Sequence, residues 1–280
     1  MTKIVYGSTG FIGSSLLEYF KSAQIPSIGY SRRNIDMLDS QNIASSIRKV
    51  KNLESIIFCA GPVPVKDSES FAVNIQLFER FLLGIEEFAP DLKITYISSD
   101  AVYSSNSFDI NEMKSVEPDS LHGQMHLTRE KMLNSAEIGE SLILRPTAVF
   151  GVGDTHNSFG PNRFARELKN SKIITLHGAA HERRDHLWVK DLLSYIVQLE
   201  KSSVGVFNLA SGVSVSFLEV VEKLGDLIGH PINIIQDEEN HKMPYSRSFD
   251  VAKVVNETKI EFPNSLDTGL FDMVAKWDQV

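Results

Sequence analysis

The 280-residue chain has one cysteine, two tryptophans and no long uninterrupted apolar run. A lone thiol, Cys59, excludes an intramolecular disulfide, and its place in the apolar stretch ESIIFCAG suits a buried strand better than a reactive group. The N-terminus MTKIVYGSTGF passes from a short apolar run straight into glycines, unlike a signal peptide. No stretch approaches the ~20 apolar residues that span a bilayer, so the expected location is the cytoplasm, with no membrane partner. Excess positive charge is also missing. Lys and Arg total 28 against 36 Asp and Glu, a net charge of -8, which offers no general attraction to nucleic acid. A local basic site for a phosphate stays open. Hydrophobic residues make up 42% and charged residues 23%, enough to bury a core and too apolar for disorder. Repeats and low-complexity tracts are absent.

What the sequence does contain is an alternation of short β-rich runs with helical patterns, the mark of a parallel sheet covered by helices. KIVYG reads as a strand, FIGSSLLEYFKSA as a helix and PSIGYS as a second strand. A helix near DSQNIASSIRKV, a strand SIIFCA, a long helix within SFAVNIQLFERFLLGIEEFA and a strand KITYISS follow. Phe71, Ile75, Phe78 and Leu82 recur at helical spacing and are expected to face the sheet. Beyond residue 150 the pattern loosens into the loop GVGDTHNSFGPN, a helix near RFAREL and a strand KIITLHG. Ser216 with Glu219 three residues on predicts a capping box opening the helix of SFLEVVEKLGDLIG. The expected fold is α/β, a Rossmann-type doubly wound parallel sheet with a smaller C-terminal α/β region on the substrate side.

The loop YGSTGFIG places Gly7, Gly10 and Gly13 between the first strand and the first helix, with Thr9, Phe11 and Ile12 among them. Glycines there let backbone approach a pyrophosphate while a helix N-terminus faces it. A tight turn whose glycines serve only packing is the alternative. An NAD-selective site carries a carboxylate about twenty residues further on, at the end of the second strand. This chain has Tyr30, Ser31, Arg32 and Arg33 there. Guanidinium forks suit the 2'-phosphate of NADP(H), which is therefore favoured, with NAD(H) as the alternative cofactor and a solvated basic loop as the purely structural reading.

Along nearly its whole length the chain resembles the extended short-chain dehydrogenase/reductase family of nucleotide-sugar epimerases, dehydratases and reductases. The landmarks are YGSTGFIG, Asp36 in NIDML, FCAG, Asn74 in FAVNIQ, ISSDAVY, LRPTAVFG, RRDHLWVKDLL and VFNLASGVSVSF. The resemblance implies a dinucleotide-binding domain over 1–150, with segments returning near 185–210 and 247–255. A smaller substrate-binding region is implied over 151–184, 211–246 and 256–280. It adds Asp36, Met37, Cys59, Ala60, Gly61, Asn74 and Ser98 to the cofactor contacts. Ser99, four residues before Tyr103, takes the place of the family's catalytic Ser or Thr, whose hydroxyl hydrogen-bonds the sugar oxygen whose charge changes during hydride transfer. Asp100 and Tyr103 are implied on the substrate side. Ala101 stands where the dehydratases keep a Glu, which argues against dehydration. An ordinary strand-end turn is the alternative for SSD.

The family's central motif pairs a tyrosine with a lysine four residues later, and the corresponding stretch is PDSLHGQMHLTREKML. Its proline, serine, glycine and Glu130 align, but His122 replaces the tyrosine and His126 the lysine. Histidine titrates near pH 6.5 and exchanges a proton at neutral pH without a helper. Its nitrogen ends roughly 2 Å short of a phenol oxygen, and displacements of about 1 Å cost on the order of 10²-fold in rate. A deeper substrate, a relaying water or weak activity would answer that shortfall. Two structural histidines in an inactive site, or a metal held at i and i+4, are the competing readings. With no HExxH pattern and no third ligand evident, although His177, His181 and His186 follow, no metal is expected.

On the substrate side, Arg184 ahead of Asp185 matches the family's diphosphate-binding arginine, with Arg183 beside it. A salt bridge of Arg184 to Asp185 or Asp191 is the alternative. Asn162 and Arg163 at a helix start are further candidates for anionic groups. Ala148 replaces an asparagine the family often uses to hold the sugar. The implied partner is a nucleoside-diphosphate sugar. The implied assembly is a homodimer through the long third helix and the helix of the catalytic pair, which would put Phe81 and Leu83 at an interface. Together these features point to an NADP(H)-dependent reduction of a 4-keto-deoxysugar. An epimerase on the same scaffold, or a non-catalytic NADP-binding sensor or partner-binding protein, is the alternative.

Overall fold

A computed structural model of the chain describes residues 1–154, 160–171, 173–177, 182–229, 233–237, 246–276 and 278. Strands and helices alternate from the start: β1 (Thr2–Tyr6), α1 (Phe11–Ser22), β2 (Ser27–Tyr30), α2 (Ser40–Arg48), β3 (Leu53–Phe58), α3 (Ser68–Phe88) and β4 (Lys93–Ile97). A 3-10 turn at Asp100–Val102 precedes α4 (Leu121–Ser135), β5 (Ser141–Pro146), β6 (Ala148–Phe150), α5 (Pro161–Ser171), β7 (Ile173–His177) and β8 (Arg183–Trp188). Then come α6 (Val189–Leu199), β9 (Gly205–Leu209), β10 (Ser214–Ser216), α7 (Phe217–Ile228), β11 (Asn233–Asp237), α8 (Ala252–Thr258) and α9 (Ser265–Ala275).

Six strands form the central parallel sheet in the order β2-β1-β3-β4-β5-β9. From β1 the chain first runs outward to β2 and then returns to the other side for β3, so the strand order reverses between β1 and β3. In such sheets the crevice for a ligand lies at that reversal, beyond the carboxyl ends of the strands. Helices cover both faces, which is why Ile4, Ile56, Ile57, Ile94 and Leu142 are all fully buried and the strands read as continuous apolar runs.

The chain divides into two compact units. The first comprises residues 1–104, 115–145 and 196–207. Its core is aromatic: Phe58 lies 4.5 Å from Phe81 and 5.0 Å from Phe78 between ring centroids, and Tyr6 lies 5.4 Å from Phe81. Phe78 and Leu82 are buried as the periodicity requires, whereas Phe71 and Ile75 are half-buried. Phe81 sits in this core, fully buried, and so is not available for a subunit interface; Leu83 is 42% exposed. At the other end of the strands the Glu200 carboxylate accepts from Lys3 Nζ at 3.2 Å, from Ser55 Oγ at 2.7 Å and from Thr95 Oγ1. One buried acid thus ties β1, β3 and β4 together.

The second unit comprises residues 105–114, 146–195 and 208–280. It contains a three-stranded sheet, β10-β8-β6, and the parallel pair β11-β7. Phe150, Phe164, Leu176, Val220, Leu224 and Leu270 form its core. The capping box opens α7: Glu219 N–H donates to Ser216 Oγ at 3.1 Å and Ser216 N–H donates to the Glu219 carboxylate at 2.5 Å. Among the described residues no helix is long and apolar enough to cross a membrane.

Candidate active site

The glycine loop fits a dinucleotide. Gly7 has φ +95°, a backbone conformation other residues adopt at a cost, and a Cβ there would lie 2.7 Å from the Cys59 carbonyl. That contact seats the loop on the end of β3. Gly10 is the N-cap of α1, exposed and with no side chain capping the helix, so the first N–H groups of α1 stay open to an anion. Thr9 is exposed, Phe11 and Ile12 are half-buried, and Gly13 packs inward. These residues are what a pyrophosphate cradle requires.

After β2 the chain turns on its own side chains. Ser31 N–H donates to Asn34 Oδ1 at 2.8 Å, Arg33 N–H donates to Ser31 Oγ at 3.3 Å, and Leu38 N–H donates to Asp36 Oδ1 at 3.0 Å. Ser31 and Met37 are buried by this turn while Arg32, Arg33 and Asp36 project into solvent. Beyond β3, Cys59 Sγ–H donates to the Tyr6 carbonyl at 3.1 Å, and burial pushes the thiol up to about 12, so it remains protonated and inert. Asn74 of α3 donates to the Pro62 carbonyl at 2.9 Å and braces the turn that holds Ala60 and Gly61.

Arg129 of α4 completes that brace. Fully buried, it donates from Nε and Nη2 to the Asn74 carbonyl, from Nη2 to Asn74 Oδ1 at 2.8 Å and from Nη1 to the Ala60 carbonyl at 3.0 Å. Phe58 and Phe78 lie 5.5 and 5.4 Å from the guanidinium carbon. Burial lowers its pKa, and Tyr96 acts in the opposite direction. Sequence reading had no hold on Arg129, because nothing local marks an arginine in a polar helix segment as buried.

Ser99 lies two residues beyond β4, and its Oγ accepts from Ala101 N–H at 3.1 Å, capping the 3-10 turn that Asp100 begins. Gly123 of α4 has no room for a side chain, because the Ala101 carbonyl and Pro118 occupy the space a Cβ would take. That close approach sets the turn of α4 bearing His122 against the turn beginning at Ser99. Ser120 caps α4 through Gly123 N–H at 3.1 Å. The rings of His122 and His126 meet edge to face, 4.7 Å between centroids. His126 is buried, and burial first, then His122 and Arg129, hold its pKa well below the usual histidine value.

Behind these residues runs a closed polar network. Ser98 Oγ donates to Glu130 at 2.5 Å, Glu130 takes a two-pronged contact from Arg145 at 3.0 and 2.6 Å, and Arg145 Nη1 donates to Tyr103 Oη at 2.7 Å. Ser98 and Tyr103 are thus buried with their hydroxyls engaged inward, and they support the Ser99 turn from below.

The second unit carries the anion-binding candidates. Asn162 is buried and clamps Gly151 through both backbone groups at 3.0 and 2.8 Å. Arg163 pairs with Glu167 at 3.3 Å. Arg184 pairs with Glu182 at 3.1 Å. Asp185 is fully buried and receives Ser211 N–H at 2.9 Å and Gly212 N–H at 2.7 Å. Arg183 donates to Glu219 at 2.9 Å and the Ser214 carbonyl at 2.7 Å, so it serves the cap of α7. His181 and the side chain of His177 lie outside the described residues, and among those described no cluster of three or more His, Cys, Asp or Glu could hold a metal.

A parallel sheet with an open glycine-rich helix N-terminus at its strand-order reversal defines a dinucleotide-binding α/β protein. The profile of the NAD dependent epimerase/dehydratase family matches residues 4–210, and the chain belongs to that family. The low-salt glycan biosynthesis protein Agl12 of Haloferax volcanii is 24% identical, over 95% of this chain and 96% of its own length. GDP-6-deoxy-D-mannose reductase of Pseudomonas aeruginosa is 26% identical, over 83% of this chain and 82% of its own. A solved structure of RMD from Pseudomonas aeruginosa complexed with NADPH superimposes with a TM-score of 0.86 at 20% identity, over 99% of this chain and 98% of that one.

Proposed function

We propose that the chain is an NADP(H)-dependent reductase of a nucleoside-diphosphate 4-keto-deoxysugar. The observation that carries the reading is the pairing of a hydroxyl and an imidazole, Ser99 and His122, on two turns locked together through Gly123 and the Ala101 carbonyl. Glycines 7, 10 and 13 would hold the pyrophosphate, Arg32 and Arg33 the 2'-phosphate, and His126 the nicotinamide ribose. When bound, the cofactor supplies a hydride to the keto carbon. Ser99 Oγ donates to the oxygen on which negative charge develops, and His122 delivers the proton that makes it a hydroxyl. Arg184, released from Glu182, takes the diphosphate through its planar fork. The reductase of Pseudomonas aeruginosa, among the relatives, supports reduction, as does Ala101 where dehydratases carry an acid. An epimerase would use the same Ser99 and His122 but return the hydride it removed.

NADPH oxidation followed by absorbance, over a panel of nucleoside-diphosphate 4-keto-6-deoxy sugars, tests the reading. Turnover should fall by about 10²-fold in His122→Ala and by a similar factor in Ser99→Ala, the range expected for a general acid and an oxyanion donor. Tight NADPH binding with no oxidation on any sugar would sink the reductase and leave the epimerase or a non-catalytic sensor.

A further inference from the structure

His126 is held from behind by a tyrosine that the motif does not include. Tyr96 of β4 is fully buried, and its hydroxyl lies 2.7 Å from His126 Nδ1 with the two rings stacked 5.9 Å apart. The direction of that hydrogen bond follows from the other side of the phenol. Among the described residues the Tyr96 hydroxyl has no second hydrogen-bond partner, because Arg129, one turn along α4 from His126, directs its donors to Asn74 and the Ala60 carbonyl. The buried phenol's single proton is therefore satisfied by Nδ1, and a bond in the other direction would leave that proton without an acceptor in the core. An imidazole whose Nδ1 accepts carries its one proton on Nε2. Among the described residues no other titratable or charged side chain is found against the ring: Tyr96 faces it from β4, and His122 and Arg129 face it from α4. A second proton on the ring would be a cation buried beside a cation, with no carboxylate to offset it; Glu130, the nearest acid along α4, is engaged by Arg145.

We propose that Tyr96 is a positioning residue that fixes His126 as the neutral Nε2–H tautomer, so that α4 presents the nicotinamide ribose with a single uncharged donor in place of the family's lysine. The ribose contact rests on the functional reading given above, whereas the tautomer rests on the burial of Tyr96 and its contact with Nδ1 alone. The cation of the region is then Arg129, displaced from the cofactor side into the brace of the Ala60 turn. An uncharged donor binds a hydroxyl with one directional bond and no field, so orientation of the ring becomes the quantity that matters, and Tyr96 supplies it.

Long-range ¹H–¹⁵N correlation spectra of the cofactor-free protein read the tautomer directly. The wild-type chain should show His126 with unprotonated Nδ1 and protonated Nε2, unchanged between roughly pH 5.5 and 8.5, a range that spans the ordinary histidine value. Tyr96→Phe, which keeps the ring and removes the proton donor, should shift His126 to a mixture of tautomers and weaken NADPH binding about threefold to tenfold, the loss of one neutral hydrogen bond's worth of order. The wild-type spectrum decides the matter even if the variant fails to fold. A protonated Nδ1 or a charged ring in wild type overturns the inference, and so does a tautomer unmoved by Tyr96→Phe. A wild-type chain with the expected tautomer that binds no dinucleotide overturns the ribose contact together with the functional reading. A wrong tautomer in a chain that turns over NADPH overturns the inference by itself.

Discussion

Arg32 and Arg33 are exposed at the end of β2, where the turn set by Ser31 and Asn34 leaves both guanidinium groups projecting outward. Exposure costs a free arginine little, and a phosphate monoester close by gains charge-assisted bonds of about 1.5–3 kcal/mol each. In the proposed enzyme that gain separates NADPH from NADH, which lacks the 2'-phosphate. The double variant Arg32→Ala/Arg33→Ala should therefore lower the affinity ratio of NADPH to NADH by about 10²-fold while leaving NADH affinity within a factor of a few, because the glycine loop is untouched. Fluorescence titration with both cofactors checks it. Equal losses for the two would mean that the loop is only a solvated basic turn. The arginines themselves were legible in the sequence, as exposed basic residues just after the second strand. The partners of the substrate-side arginines were not. Glu182 lies two residues from Arg184, and Glu219 thirty-six from Arg183, and only the antiparallel pairing of β8 with β10 brings that second pair together.

At the scale of elements, α4 is the piece that joins the Ala60 turn, His122 and the core. It carries few apolar residues, and the sequence marks it as a functional helix only through its alignment with the tyrosine and lysine motif. Besides the buried Met125 and Leu133, it is held by Arg129 on Asn74 and Ala60, by Glu130 on Arg145 and Ser98, and by the close approach of Gly123 to the Ala101 carbonyl. None of these contacts follows from periodicity, because each joins residues far apart in the chain. By contrast the β1 to β4 alternation was readable, as buried parallel strands are nearly pure in apolar residues. Phe81 lies in the core because α3 buries a broad arc, its Phe78 and Phe81 both meeting the aromatic core while Gly84 packs on Ile43 of α2. Truncating Arg129 to Ala strips donors from two backbone carbonyls and the Asn74 amide inside the core. The expected cost is about 3–5 kcal/mol, a large part of the ~5–15 kcal/mol that stabilises a domain. Arg129→Lys, with a point charge and no fork, should restore less than half of it. Denaturant midpoints at unchanged slope check both. A loss below about 1 kcal/mol for the alanine variant would show that water replaces the fork.

Across the whole molecule, each of the two units contains a histidine that is buried and neutral, and that fixes how the fold responds to acid. His126 belongs to the first unit and His186 of β8 to the second. His186 is 2% exposed, its ring 6.4 Å from Phe150 and 6.0 Å from Phe217 between centroids, and among the described residues neither nitrogen has a hydrogen bond. Burial, and then the Arg184 charge, lower its pKa to about 3. In the unfolded chain both histidines take up a proton near pH 6.5, whereas the native protein takes up neither until far lower pH. The unfolded state thus binds more protons over the interval from about 6.5 down to 3 for His186, and stability falls as pH falls through it. Each histidine contributes a slope of about 1.4 kcal/mol per pH unit in the middle of that interval. Above pH 6.5 the slope from both vanishes. His186→Leu removes one titrating group while keeping an apolar side chain of similar volume among the same aromatic neighbours. Its denaturant stability, measured at pH 7, 6 and 5, should decline about 1.4 kcal/mol per pH unit less steeply than that of the wild-type chain below pH 6. The fold would then hold further into acid even if the variant is somewhat less stable at neutral pH. Parallel declines in the two proteins would mean that His186 reaches solvent and a proton in the native state, and that its surroundings open more easily than their packing suggests.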